Sequence, residues 1–325
     1  MMYIHFISTD TRNAIVSCRD GEQKIGENIQ FASDMNWNSE IEYVILGVPE
    51  DIGVRANYGN IGAENAFNAF LLRFLNMQTN QYIDLRKVLI LGVLDVEDLK
   101  IKCAEISDIS ILRENVEIID SRLAELIAFI HSKNAKPIVI GGGHNNSFGI
   151  IKGMAQTNSI EVMNIDPHFD YRTIEGRHSG NGFRYAKEAG FLNKYSVFGF
   201  HQNYNNQKML DDLRNQDSFC VTSFESILFE THSLAQAIKK HIDFHAKSIG
   251  VELDLDSVKD MPSSANTPSG FSEEEIRKLL YKIRSEKEVL YYHFSEGAPI
   301  DNNQYNKVGK FLAYLVADIL AINNK

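Results

Sequence analysis

The stretch EVMNIDPHFDYR, residues 161–172, joins a short apolar run to a group of acids and a histidine. The run at 161–165 is continuous rather than alternating, which is typical of a strand buried on both faces of a parallel sheet. Asp166, His168 and Asp170 follow it at alternate positions. Because a surface loop has no need for this alternation, the spacing predicts metal ligands beyond the carboxyl end of a strand.

Apolar runs of the same kind recur on both sides of this stretch, and segments with helical periodicity separate many of them. Strands are expected at 43–48, 88–93, 137–140, 161–165, 195–200, 218–221, 248–255 and 289–294. Helices are expected at 62–75, 112–132, 224–246, 272–283 and 308–322, with Ser272 and Glu275 as a capping box. This alternation predicts one α/β domain with a mainly parallel sheet, although a TIM barrel fits the same count. Residues 1–40 form an N-terminal segment whose hydrophobic periodicity is too weak to predict its elements or its position.

Composition excludes several classes of function. The 325 residues include 33 Lys+Arg and 43 Asp+Glu, a net charge of −10. This balance argues against binding of nucleic acid through phosphate neutralisation and against a polybasic membrane anchor. We expect no signal peptide and no membrane-spanning segment. Cys18, Cys103 and Cys220 form no CxxC pair, so we expect three free thiols and a cytoplasmic location.

Polar residues also follow three other predicted strands. GGGHNN at 141–146 follows one run, Asp254 and Asp256 follow a second, and Glu296 follows a third. Two histidines and four aspartates are nitrogen and oxygen ligands that suit Mn²⁺ and, less selectively, Fe²⁺, Co²⁺ or Zn²⁺. Four clustered carboxylates repel one another unless cations neutralise them, and two divalent ions would balance the charge. Two divalent ions held close together can lower the pKa of a water molecule that bridges them.

The sequence lacks the motifs of two other functional classes, nucleotide-binding proteins and serine hydrolases. The glycines at 141–143 are not a G-x-G-x-x-G pattern, and no Walker lysine follows them, which argues against nucleotide binding. A G-x-S-x-G elbow is missing as well, which argues against an α/β-hydrolase of the serine type.

The ordered motifs resemble those of the ureohydrolase superfamily, which includes arginases, agmatinases and formimidoylglutamases. They are GVPEDIGVRANYGNIGA at 47–63, GGGHNNSFG at 141–149, NIDPHFDYR at 164–172, ELDLDSV at 252–258, TPSGFS at 267–272 and SEGAP at 295–299. The resemblance implies a single three-layer α/β domain, residues 1–325, with an eight-stranded, mainly parallel sheet. It also implies a dimanganese centre that hydrolyses C–N bonds of guanidino or formimino groups.

The resemblance further implies a ligand set for each metal. One set is His144, Asp166, Asp170 and Asp254, and the other is Asp166, His168, Asp254 and Asp256, with Asp166 and Asp254 bridging. It implies that Glu296 holds the cationic amidine group of the substrate. We expect Asp170 to orient the attacking hydroxide as well as bind metal.

Within the superfamily the chain is most similar to the formimidoylglutamase branch, which reads GGGH where arginases read GGDH and also reads D-x-H-F-D-x-R. On this resemblance Arg172 and Arg184 are candidates to bind substrate carboxylates. Asn181 is a candidate for substrate binding in the loop at 178–184, where Asn-Gly replaces the usual Thr-Pro. His178 is a candidate proton shuttle.

The resulting prediction is a hydrolase of N-formimino-L-glutamate that releases L-glutamate and formamide through a hydroxide bridging two Mn²⁺ per chain, with other divalent ions possible. One alternative is another ureohydrolase that acts on a guanidine such as arginine, agmatine or guanidinobutyrate. A second is a metal-binding regulatory protein without turnover. The expected partner is a small molecule with carboxylate and amidine groups, with no nucleic acid and no membrane, and the chain is expected to form a homo-oligomer.

Overall fold

The fold is built on one β-sheet. The computed structural model describes residues 3–32, 37–214, 216–229 and 233–322. Within these ranges the sheet has ten strands: β1 (Ile4–His5), β2 (Gln30–Phe31), β3 (Tyr43–Gly47), β4 (Val88–Leu94), β5 (Lys136–Ile140), β6 (Ile160–Ile165), β7 (Leu192–Phe200), β8 (Phe219–Ser223), β9 (Ser248–Asp254) and β10 (Glu288–Ser295).

The strand order is β1-β4-β3-β5-β10-β9-β6-β7-β8, and β2 also pairs with β4. The eight strands from β3 to β10 run parallel to one another, which confirms the predicted sheet. The short strand β1 pairs antiparallel with β4, and β2 pairs parallel with it, so the edge carries two strands beyond the predicted eight. Strands of two residues carry too little alternation to be recognised in a sequence.

Helices cover both faces of the sheet. They are α1 (Thr9–Ile15), α2 (Ile25–Asn28), α3 (Ile52–Arg55), α4 (Ala66–Phe74), α5 (Glu97–Cys103), α6 (Ile109–Ser132), α7 (Asn146–Met154), α8 (Gly182–Glu188), α9 (Gln207–Arg214), α10 (Phe224–Leu228), α11 (Leu234–Phe244), α12 (Glu273–Glu286) and α13 (Asn302–Leu320). Short 3₁₀ turns lie at Ala63–Asn65, Leu85–Lys87, Ser179–Asn181, Gln202–Tyr204 and Leu255–Ser257.

Two hydrophobic cores separate the three layers. On one face α4 packs against α13, with Phe70 and Leu312 fully buried. On the other face α6 packs against α7, with Ile119 and Leu123 fully buried. Each such side chain contributes roughly 1.5–3 kcal/mol through burial. This arrangement confirms the three-layer α/β architecture.

The predicted helix at 224–246 is wrong as a single element. Helix α10 ends at Leu228, and α11 begins after Ser233, whose Oγ accepts a hydrogen bond from the backbone N–H of Gln236. The capping box of Ser272 and Glu275 at the start of α12 is confirmed. Helix α13 begins at Asn302, six residues before the predicted start, because Asp301 caps it by accepting the backbone N–H groups of Asn303 and Gln304.

Two sequence expectations concern the chain as a whole. The three cysteines are free thiols, with Cys18 exposed and Cys103 and Cys220 buried. No helix in the described part of the chain is long and apolar enough to cross a membrane.

The sheet topology positions the site. The strands β5, β10, β9 and β6 are neighbours in the middle of the sheet, although they are far apart in the sequence. Because they are parallel, their carboxyl ends meet at one edge, where ligands bind in open α/β sheets. All four of the predicted polar segments follow these ends.

Candidate metal centre

The loop after β5 brings His144 to the middle of the cluster. Gly141 and Gly142 have φ values of 89° and 71°, a left-handed conformation that favours glycine. A Cβ at Gly142 would lie 2.3 Å from the side-chain nitrogen of Asn146, so the tight turn needs glycine there. The turn is anchored by Glu50, a fully buried carboxylate that accepts hydrogen bonds from the side chains of Asn145 and Asn146 at 3.1 and 2.7 Å.

The structure brings together the first predicted ligand set. Nδ1 of His144 lies 3.1 Å from Oδ2 of Asp166, 2.9 Å from Oδ2 of Asp170 and 3.2 Å from Oδ2 of Asp254. The ligand atoms of these four residues all lie within 4.8 Å of one another. One ion could therefore contact all four side chains.

The second predicted set lies beside the first. His168, Asp254 and Asp256 offer ligand atoms within 4.8 Å of one another. Nδ1 of His168 also lies 3.5 Å from Oδ1 of Asp166 and 3.9 Å from Oδ2 of Asp256. Asp254 thus belongs to both groups, and Asp166 contacts both histidines.

The charges of the cluster favour a bound cation. Among the described residues, the four aspartates form ion pairs with His144 and His168 but with no lysine or arginine. Burial, together with the charges of Asp256 and Asp166, raises the pKa of Asp254 well above its usual range. Burial alone would lower the pKa of His168, but the adjacent Asp166 raises it to about 10. A divalent cation would relieve this repulsion, and the nitrogen and oxygen donors fit Mn²⁺.

Glu296 stands at the wall of the cluster in a strained conformation, with a φ of 63°. Its Oε1 accepts the backbone N–H of His144 at 2.6 Å, whereas its Oε2 is buried and has no hydrogen-bond partner in the described part of the chain. Burial and the nearby charge of Asp256 raise the pKa of Glu296 to about 8. A buried carboxylate oxygen without a partner is ready to accept a hydrogen bond from a cationic ligand.

A cavity of about 360 Å³ opens directly onto these groups. The predicted site residues that line it are His168, Asp170, Arg172, Asp254, Asp256 and Glu296. Arg172 is half-exposed, and its Nε lies 3.3 Å from Oε1 of Glu175. Tyr204 also lines the cavity and stacks on the ring of His168, with 5.5 Å between ring centroids.

Five predicted site residues do not line this cavity: the proposed ligands His144 and Asp166, and the three candidates for substrate binding or proton transfer, Arg184, Asn181 and His178. Arg184 forms ion pairs with Glu188 at 3.1 Å and Asp212 at 3.2 Å, and its guanidinium lies over the ring of Tyr171. Helix α8 buries Phe183 on its inner side and so turns Arg184 away from the cavity. The expectation that Arg184 binds a substrate carboxylate is therefore not supported by its position.

Asn181 and His178 are buried in the loop behind the cavity. The side-chain oxygen of Asn181 accepts hydrogen bonds from Arg177 and from the backbone N–H of His178, and its nitrogen donates to the carbonyl of Gly176. The Nε2–H of His178 donates to Glu175 at 3.1 Å, and its Nδ1 accepts the N–H of Gly180 at 3.1 Å. Burial lowers the pKa of His178 to about 4. Both side chains thus have their polar atoms engaged within the loop.

Sequence reasoning missed several residues around the cluster. Glu252 lies below His144 and accepts hydrogen bonds from Tyr291 and His293. Burial alone would raise the pKa of Glu252, but the nearby His293 and His144 lower it to about 2. The sequence held one signal for Glu252. It precedes Asp254 by two residues, and alternate residues of a strand share a face, so Glu252 could have been predicted to lie on the same face as the ligand.

The fold and the site define an α/β protein whose central parallel sheet carries a cluster able to bind a metal at its carboxyl edge. The chain belongs to the arginase family, whose model matches residues 41–321. It is accordingly a hydrolase that acts on carbon–nitrogen bonds.

Similar curated proteins include two formimidoylglutamases. That of Klebsiella pneumoniae (strain 342) is 25% identical over 232 residues, which cover 68% of this chain and 67% of the relative. That of Streptococcus pyogenes serotype M3 (strain SSI-1) is 26% identical over 301 residues, which cover 87% of this chain and 86% of the relative.

Similar solved structures confirm the arginase-like fold. The formiminoglutamase of Trypanosoma cruzi, solved with Mn²⁺, has a TM-score of 0.70 and 21% identity over 92% of this chain and 98% of its own. The formimidoylglutamase of Bacillus subtilis has a TM-score of 0.73 and 16% identity over 93% of each chain. A hypothetical agmatinase from Burkholderia thailandensis has a TM-score of 0.67 and 14% identity over 86% of this chain and 85% of its own.

Proposed function

We propose that this hydrolase converts N-formimino-L-glutamate and water to L-glutamate and formamide, with two Mn²⁺ ions per chain. The observation that carries the proposal is Oε2 of Glu296, a buried carboxylate oxygen without a partner among the described residues, beside a cavity lined by acidic ligands. The formimidoylglutamase names of the curated relatives favour the formimino substrate.

The proposed ligands form two groups that share Asp254 and Asp166. His144 and Asp170 complete one group, and His168 and Asp256 complete the other. When bound, a pair of divalent ions lowers the pKa of water and stabilises the charge that develops on the reacting carbon's substituents.

Glu296 binds the amidinium group in this proposal. Its Oε1 is fixed by the backbone N–H of His144, which leaves Oε2 to accept an N–H from the substrate. A charge-assisted hydrogen bond of this kind holds the planar amidinium in one orientation. The carbon to be attacked is then positioned over the aspartate cluster.

Asp170 orients the attacking water. Its carboxylate lines the cavity and also lies 2.9 Å from Nδ1 of His144. A carboxylate at this position can accept a hydrogen bond from the water and fix the direction of its lone pair.

Arg172 binds a substrate carboxylate at the outer part of the cavity. It is the one arginine or lysine among the described residues that line this cavity. A positive charge there repels the cationic amine of agmatine, so a substrate that carries a carboxylate is favoured. A single arginine also fits a guanidine with one carboxylate, such as 4-guanidinobutyrate, which is the second candidate substrate.

Metal stoichiometry tests the centre directly. The protein is stripped with a chelator, dialysed and titrated with Mn²⁺, and the bound ions are counted by elemental analysis. Two ions per chain support the proposal, whereas zero or one contradict it. The homo-oligomer, the single domain over residues 1–325 and the cytoplasmic location stay predictions.

A further inference from the structure

Directly below the proposed ligands lies a second layer of polar side chains in the sheet. Glu252 on β9 pairs in register with His293 on β10, two residues before the pair of Asp254 and Ser295. Glu252, His293 and Tyr291 are all completely buried. Buried polar groups in central strands are costly unless they are hydrogen-bonded, so their presence here calls for a physical reason.

The carboxylate of Glu252 is held from two sides. Its Oε1 accepts the hydroxyl of Tyr291 at 2.7 Å, and its Oε2 accepts Nδ1–H of His293 at 2.5 Å. The same Oε2 lies 3.5 Å from Nε2 of His144, at the outer limit of hydrogen-bond distance, and Nε2 makes no hydrogen bond among the described residues. The other ring nitrogen of His144, Nδ1, faces Asp166, Asp170 and Asp254.

We infer that Glu252 is a positioning residue for His144, and this inference rests on the proposed metal centre. A neutral imidazole has one N–H donor and one acceptor nitrogen, and the partner of one decides the state of the other. A carboxylate can only accept, so the negative charge of Glu252 beside Nε2 favours the tautomer of His144 that carries its proton on that nitrogen. The lone pair of Nδ1 is then directed at the aspartates, where a metal would bind.

The contacts of Glu252 make the effect specific to one ion. Among the six predicted ligands, the one that Glu252 contacts is His144, which belongs to one of the two groups. His168 has its own neighbours, Asp166, Asp256 and the ring of Tyr204. Loss of the Glu252 carboxylate therefore weakens the binding of one Mn²⁺ and leaves the other nearly unchanged.

Glu252→Gln tests this with the side-chain shape retained. The matched control is Glu161→Gln, because Glu161 is also buried and accepts from a histidine, with its Oε2 3.1 Å from Nδ1 of His245, but it lies at the start of β6 away from the site. Chelator-stripped proteins are titrated with Mn²⁺, and free ion is measured by electron paramagnetic resonance. Thermal unfolding in chelator checks that all variants fold.

The expected result is a loss of about 10- to 100-fold in the affinity for one ion in Glu252→Gln, with the second ion within about 3-fold of the wild-type value. Glu161→Gln should bind both ions as the wild type does. Tyr291→Phe, which frees Oε1, should show a smaller loss of about 3- to 10-fold for the same ion.

Three outcomes would overturn the inference. Wild-type affinity for both ions in Glu252→Gln is one, and an equal weakening of both ions is another. The third is an additional ion in the wild type that is lost in Glu252→Gln, since His144, Glu252 and His293 would then hold a metal themselves. If Glu252→Gln does not fold, the test rests on Tyr291→Phe, and wild-type affinity for both Mn²⁺ ions in that variant would overturn the inference. Fewer than two ions in the wild type would instead contradict the proposed function.

Discussion

The backbone N–H of His144 donates to Oε1 of Glu296 over 2.6 Å, and this bond joins the two halves of the site. One end of it belongs to a proposed metal ligand and the other to the carboxylate proposed to hold the amidinium. Because both residues are almost completely buried, the distance between the ligand cluster and the amidinium-binding oxygen is set by the fold. In the proposed function, the substrate would therefore meet protein groups that already hold their positions.

Glu296→Gln tests the amidinium contact. The amide keeps the size of the side chain but cannot take the negative charge that a bound amidinium would favour in Glu296, so we expect kcat/KM to fall at least about 30-fold, equivalent to about 2 kcal/mol. Bound Mn²⁺ should stay at the wild-type level, because Glu296 belongs to neither ligand group. The exposed Glu286 supplies a control, as Glu286→Gln. Wild-type kcat/KM in Glu296→Gln would refute the assigned role.

Arg172→Ala tests the carboxylate contact, and Arg184→Ala is its matched control. Arg172 lines the cavity, whereas Arg184 is paired with Glu188 and Asp212 outside it. We expect KM for a carboxylate substrate to rise about 10-fold or more in Arg172→Ala and to stay unchanged in Arg184→Ala. A KM effect confined to Arg184→Ala would reverse the two assignments.

Asp254→Ala tests the shared ligand. Because Asp254 belongs to both groups of possible ligands, its loss should abolish Mn²⁺ binding and turnover together. Asp211→Ala removes an exposed acid on α9 and should change neither. Full activity of Asp254→Ala without bound metal would be incompatible with the scheme.

His178 should make stability depend on acid pH. Its Nδ1 accepts the N–H of Gly180, and burial lowers its pKa to about 4, below the value of about 6.5 expected in the unfolded chain. Stability from the neutral ring is therefore present above about pH 6.5 and is lost as the pH falls through 4.

The measurement is urea unfolding in chelator at pH 7 and pH 4, for the wild type and for His178→Asn. From pH 7 to pH 4 the free energy of unfolding should fall by roughly 2 kcal/mol more in the wild type than in His178→Asn. This is less than the whole pKa shift of His178 would give, because solvent near Glu175 screens the interaction. Identical pH dependence in the two proteins would show that His178 is not responsible.

The sheet and the position of the cluster could be predicted because they follow from local patterns. Continuous apolar runs identify parallel strands, and polar residues directly after Ile140, Ile165 and Phe294 must meet at one edge. The helix at 224–246 was predicted as one element although Ser233 and Gln236 form a capping-box pattern that marks a new start.

The residues around the cluster were harder to predict because their roles depend on packing. Arg184 and Arg172 have the same chemistry, and it is the burial of Phe183 on the inner side of α8 that separates them. Glu252 stands inside a buried strand, where its neighbours in sequence are apolar. Its contacts come from Tyr291 and His293 on another strand, which a linear pattern does not reveal.

Turnover of the Mn²⁺-loaded protein on N-formimino-L-glutamate tests the proposed substrate and the proposed metal centre together. L-Arginine, agmatine and 4-guanidinobutyrate are assayed beside it, and a chelated sample is the control. We expect release of L-glutamate and formamide that stops on chelation and returns with Mn²⁺. Release of urea from a guanidine, with N-formimino-L-glutamate left intact, would contradict the proposed substrate, and hydrolysis that is insensitive to chelation would contradict the metal centre.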